Sequence, residues 1–248
     1  MRLVLLPLID TMLEYYNLPR GFERFREYIS LLTGGTGDDM KLPIGGFNPM
    51  GKEHVAERLI GLKNLDAEKL VSEILNKMSP QFANVDPAGE YKVSISLADD
   101  LKGGWTNRFT TDYQHKFNTS AFLKRRFITI QFWTSDTLSI ELIASRTMES
   151  IFRLVYQLQF PKQETLEEHI RQEAFVNNKL KLVSGINPVD VAYYQRFYRE
   201  HKDSIDYPLI FNFLYGDRAA ENLGYKPMGI KDDFVGFLLA DSLKVGNF

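Results

Sequence analysis

Seven residues in the middle of the chain, Tyr91-Lys92-Val93-Ser94-Ile95-Ser96-Leu97, alternate apolar and polar without a break, and Ala98 ends the segment. A period of two puts every second side chain on one face of an extended strand and cannot follow the face of a helix. The segment therefore predicts a strand with Tyr91, Val93, Ile95 and Leu97 buried and Lys92, Ser94 and Ser96 more exposed. Beyond it, Asp99-Asp100-Leu101-Lys102-Gly103-Gly104 has turn chemistry. Residues 105–113, rich in Thr and aromatics, are expected to pair back as a hairpin, and Phe127–Trp133 supplies a third strand. The expected sheet is small, antiparallel and made of strands at about 91–98, 105–113 and 127–133.

Helical spacing surrounds this sheet. Residues 8–32 predict two helices broken at Pro19-Arg20-Gly21, with Met12, Tyr15, Tyr16, Phe22, Phe25 and Ile29 inside and Glu14, Glu23, Arg24 and Arg26 outside. Residues 50–78 carry a further helical pair. After residue 133 the chain reads as helix, with Ser135 or Asp136 capping the first segment and Thr165-Leu166-Glu167-Glu168 forming a capping box. Asn187-Pro188 starts another helix, and two more lie near 208–222 and 231–244. With no repeat and no linker-like stretch, residues 1–248 are expected to form a single mainly helical α+β domain.

The stretch Gly46-Phe47-Asn48-Pro49-Met50-Gly51-Lys52-Glu53 fits GxxxxGK, the start of a phosphate-binding loop. Glu53 stands where that motif needs Ser or Thr, and no strand–loop–helix context surrounds it. Asn is a strong helix cap and Pro suits a first turn. The stretch is expected to be a helix start capped by Asn48, with Lys52 near free N–H groups as an anion contact.

The densest group of reactive side chains runs from 99 to 126. Asp100, Asp112 and His115 are the candidates for acid–base or metal work. Lys52, Trp105, Asn107, Arg108 and Tyr113 are the candidates for ligand contact, Arg108 toward an anion and the two rings as a stacking wall. His169 and Glu173, four apart on a helix, form a candidate metal pair. A divalent metal is the cofactor these groups would suit. A polar turn and a solvated His–Glu pair explain the same residues without any ligand.

Composition narrows the function classes. The 248 residues carry a net charge of −2, so the basic excess expected of a nucleic-acid binder is missing. The absence of Cys rules out disulfides and thiolate chemistry. The apolar run Leu3–Ile9 is interrupted by Pro7 and followed by Asp10 rather than by a small-residue cleavage site, so a cytoplasmic protein without a membrane span is expected. Two readings stand. One is a binder of a small polar or anionic ligand, extending to a metal-assisted hydrolase or transferase. The other is a non-catalytic interaction protein or homo-oligomer that uses the aromatic helix around Tyr193, Tyr194, Phe197 and Tyr198.

Overall fold

The computed structural model describes residues 1–35, 39–44, 47–101, 106–180 and 190–243. Its contacts fall into two compact units, Met1–Ile151 and Phe152–Phe248.

The first unit is built on a three-stranded sheet of order β1-β2-β3, with β1 at Arg2–Leu5, β2 at Glu90–Ala98 and β3 at Phe127–Trp133. Both pairings are parallel. This corrects the antiparallel expectation. The segment expected to pair back, 105–113, contributes instead to a helix, α5, at Arg108–Phe117. Asn107 caps it by accepting from Thr110 N at 3.1 Å. Thr and aromatic residues favour strands only where a pleated, half-buried neighbour awaits them. Here the capped helix, followed by the short α6 at Ser120–Lys124, is the crossover that a parallel pairing of β2 with β3 requires. Leu3, which sequence places in an ambiguous apolar run, pairs with Tyr91.

Parallel strands are covered on both faces, and β2 reports this directly. Tyr91, Val93, Ile95 and Leu97 are buried as expected, but Ser94 and Ser96 are buried too, each 0% exposed. The carbonyl of Pro43 lies over the serine face. It accepts from Ser94 Oγ at 3.0 Å and from Thr129 Oγ1 at 3.2 Å. Both hydroxyls thus find a partner without water.

Among the described residues, four α-helices separate β1 from β2: α1 (Ile9–Asn17), α2 (Phe22–Thr33), α3 (Glu53–Asn64) and α4 (Ala67–Met78). The break at Pro19-Arg20-Gly21 falls where expected, but the inner face of α2 does not. Phe22 is 76% exposed while Arg24 is buried. Arg24 Nε donates to Leu18 O at 2.9 Å and its Nη2 to Tyr16 O at 3.3 Å, which satisfies carbonyls at the end of α1. Asn48 is not a helix cap. Its Oδ1 accepts from Met50 N at 2.9 Å and its carbonyl from Gly51 N at 3.1 Å, closing a tight turn. Helix α3 begins only at Glu53, with Lys52 at the cap position.

The boundary between the units lies within α7 (Ile140–Gln159). That helix is capped by Ser139, whose Oγ accepts from Leu142 N at 3.1 Å, rather than by Ser135 or Asp136. The second unit is helical, with α8 (Leu166–Leu180), α9 (Val191–His201), α10 (Tyr207–Tyr215), α11 (Asp217–Glu221) and α12 (Val235–Leu239). The capping box at Thr165 is present, Glu168 Oε2 accepting from Thr165 N at 2.8 Å. Asp190 caps α9, accepting from Tyr193 N at 3.0 Å. Asn187 and Pro188 lie outside the described residues. Tyr194, Phe197 and Tyr198 are buried, with the Phe197 and Phe213 rings stacked at 5.7 Å. No helix among the described residues is long and apolar enough to cross a membrane.

Candidate functional site

The parallel register pairs Ala98 with Trp133. The next residues, Asp99 and Thr134, therefore leave the sheet side by side at its carboxyl end. Thr134 N donates to Ala98 O at 3.0 Å and Asp100 N to Thr134 Oγ1 at 3.2 Å, which extends the pairing one step past the strands. Asp99 and Thr134 are buried, 2% and 0% exposed. The Thr134 hydroxyl is 2.8 Å from Asp99 Oδ1 and 3.1 Å from Asp100 Oδ1. It has one proton for these two carboxylates.

His54 completes the buried side. It sits in the first turn of α3, next to Val55, which with Leu59 and Leu62 anchors that helix in the core. Its Nε2 is 2.9 Å from Asp99 Oδ1. Burial pushes the Asp99 carboxyl up, but hydrogen bonds from His54, Thr134 and Leu101 N outweigh it and hold Asp99 below its ordinary value. An ionised Asp99 accepts only, so His54 Nε2 carries a proton. The other ring nitrogen, Nδ1, is buried and has no hydrogen-bond partner among the described residues.

The turn at 47–51 sits against this dyad. Phe47 forms an isolated antiparallel bridge with Ala98. The Tyr16 hydroxyl donates to Asn48 O at 2.8 Å, and Asp99 is among the charges that act on it. A Cβ on Gly51 would lie 2.8 Å from that hydroxyl and 2.9 Å from Val55 Cγ2, so the close approach needs Gly.

Toward solvent the cluster becomes a rim. Arg108, the first residue of α5, donates from Nη1 to Asp100 Oδ2 at 2.9 Å and to Ser135 Oγ at 2.6 Å. Ser135, exposed, donates to both oxygens of Asp100, from N at 3.0 Å and from Oγ at 2.6 Å. The Arg108 guanidinium also stands over the Trp133 ring, 5.5 Å from its centre. Asp136 accepts from Trp133 N at 2.7 Å and is bridged by both terminal nitrogens of Arg146. Three carboxylates thus face two guanidinium groups and one imidazole.

The structure brings Asp100 and Arg108 together as partners, with Asn107 as the cap that orients Arg108. Asp112, His115 and Tyr113 lie along α5. Asp112 holds Lys116 at 2.7 Å, and the Tyr113 ring is 5.2 Å from Phe117. His115, half-buried and 6.0 Å from the Phe122 ring, is pushed down to about 4 by burial, against the pull of Asp112. Lys52 is exposed at the start of α3. Trp105 lies outside the described residues. His169 and Glu173 are both buried on α8 of the second unit. Glu173 is gripped by Arg153, Nε to Oε1 at 2.9 Å and Nη2 to Oε2 at 2.7 Å, and His169 Nδ1 meets Thr165 O at 2.7 Å. Among the described residues no three His, Asp or Glu side chains are grouped to hold a metal ion.

Thr134, Ser135, Asp136 and Arg146 carry no motif and escape a reading of sequence spacing. For Thr134, Ser135 and Asp136 the signal was positional: polar residues immediately after the apolar strand β3. No protein-family model, characterised protein or solved structure matches the chain.

Proposed function

We propose that the carboxyl ends of β2 and β3 form a binding site for a small polar ligand, with His54 and Asp99 as a proton-transfer pair. The observation that carries this reading is the orphaned His54 Nδ1. With Nε2 protonated toward Asp99, a neutral ring presents a lone pair at Nδ1, which is the requirement for a general base. Asp99 fixes the tautomer and would stabilise the imidazolium formed after proton uptake. In parallel sheets the region beyond the carboxyl ends of the strands is the usual place for a ligand.

Within this reading, a hydrolase or transferase would use His54 to deprotonate water or a ligand hydroxyl. Arg108 and Ser135 would contact the ligand from the rim. A divalent metal would have to draw carboxylates away from the Arg and His groups that now match them, so the proton-transfer pair is the better-supported chemistry. The interaction-protein reading would need a surface other than Tyr194, Phe197 and Tyr198, which are buried in the second unit.

The test titrates four single-group probes, phosphate, acetate, ethylammonium and glycerol, into nitrogen-15-labelled protein. At least one should give saturable shifts confined to His54, Asp99, Thr134 and Ser135. Those shifts should vanish in His54→Gln with the rest of the spectrum unchanged. Absence of localised saturation with all four probes, or equal binding by His54→Gln, overturns the reading.

A further inference from the structure

A concave site lies wholly within the helical unit, at the turn from α7 to α8. It is a cleft of about 310 Å³ lined by Tyr156, Phe160, Lys162, Glu168 and Arg171, with Gln159 and Pro161 at its edge. That volume is at the lower end for small-molecule sites and suits one ring. The Tyr156 and Phe160 rings lie 4.9 Å apart. Phe160 leaves 44% of its surface exposed. The turn therefore offers an aromatic face to whatever enters.

The charged groups around the cleft are unequally engaged. Glu168 is committed to the start of α8, its Oε2 accepting from Glu164 N and Thr165 N, each at 2.8 Å. Lys162 is 3.8 Å from Glu164, and both are largely exposed, an arrangement that leaves the lysine available. Arg171 leans on Glu167 through Nη2 at 3.4 Å, and Glu167 also faces Lys202 at 4.0 Å. Arg171 Nε, however, is buried and has no acceptor among the described residues. A buried donor left unmade is costly, on the order of 1–3 kcal/mol. Nearby, the hydroxyl of Tyr198, a residue only 3% exposed, also has no partner among the described residues, and both Arg171 and Glu167 act on it. The described residues thus leave two polar groups unmatched beside the cleft.

We propose that this cleft binds a small aromatic carboxylate, its ring against Phe160 and its carboxylate at the Arg171 guanidinium with Lys162 as the outer cation. An aromatic face beside a guanidinium fits this ligand class, and the planar Arg fork matches a carboxylate. The site is independent of the His54–Asp99 region, and either can fail without the other.

Benzoate is the probe, followed through the Arg171 Nε–H signal and the Phe160 amide. Saturable binding is expected with Kd on the order of 1 mM, as a nine-atom ligand of ordinary efficiency gives. Arg171→Lys, which keeps the charge but removes the Nε donor, should weaken benzoate about tenfold. Phe160→Ser, at an exposed position, should weaken it about fivefold and leave the melting temperature unchanged. Inorganic phosphate should bind at least tenfold more weakly than benzoate. An Arg171 Nε–H signal indifferent to benzoate would mean that the guanidinium does not hold the carboxylate, and the proposal fails. It fails equally if both variants bind benzoate as the wild type does, or if phosphate competes on equal terms.

Discussion

Each unit contains a polar cluster with a buried core, and the two are built on opposite plans. In the helical unit, Arg153 grips Glu173 with two nitrogens, Gln172 Nε2 donates to Glu173 Oε1 at 3.0 Å, and Gln157 Nε2 donates to Gln172 Oε1 at 2.8 Å. Among the described residues, none of the buried partnerless atoms belongs to these four side chains. At the end of the sheet, one Thr134 hydroxyl serves two carboxylates, and an imidazole nitrogen is left over. A closed network fixes how helices pack. An open one, reaching solvent through Ser135 and Arg108, keeps valence for something else.

The sharpest break of this comparison is Glu173→Gln. It removes the carboxylate charge that Arg153 holds through two nitrogens, and a loss of about 1.5–3 kcal/mol in denaturant unfolding is expected. A loss below about 1 kcal/mol would mean that the closed network contributes little and that the contrast between the units is false.

Acid titration of Asp99→Asn is the intermediate test. The folded protein holds the Asp99 carboxyl below its ordinary value, so its contribution is complete above about pH 4 and is lost as the pH falls further. The wild type should exceed Asp99→Asn by about 1–2 kcal/mol from pH 7 down to about 4. The two curves should converge below that. A gap that instead widens on acidification would show that Asp99 is not held ionised, and the proton inferred on His54 Nε2 would lose its basis.

The smallest expected effect is that of Ser135→Ala. The hydroxyl is exposed and water can replace it, so stability should change by no more than about 0.5 kcal/mol. A loss above about 2 kcal/mol would make the rim as structural as the helical network.

The sequence carried much of the local order and little of the long-range order. Strands 91–98 and 127–133 were legible because a period of two is a local signal, and the capping box at Thr165 was legible for the same reason. The direction in which β3 runs beside β2 is not a local property. Its misreading cost both the fold and the site. In an antiparallel pair Asp99 and Thr134 would sit at opposite ends. Only the parallel register, Ala98 beside Trp133, lets them share a hydrogen bond. Asp100 and Arg108 could be named because Asp and Arg crowd one segment. Their partners Ser135, Asp136 and Arg146 come from beyond β3 and had no reason to be grouped with them. The burial of Arg24 and the exposure of Phe22 have a similar cause: carbonyls at the end of α1 select the arginine, and that choice depends on a neighbouring helix.

The pairing of Leu3 with Tyr91 has a bearing on synthesis. The backbone groups of β1 leave the ribosome long before those of β2, by roughly 5–20 s at ordinary translation rates. Through that interval the leucine-rich strand has no edge to join, and α1 to α4 can gather only around an absent centre. The nascent chain therefore passes through a stage in which an unpaired apolar strand is open to chaperones or to like strands on neighbouring chains. Arrest before β2 has left the ribosome would prolong that stage, and emergence of β2 would end it.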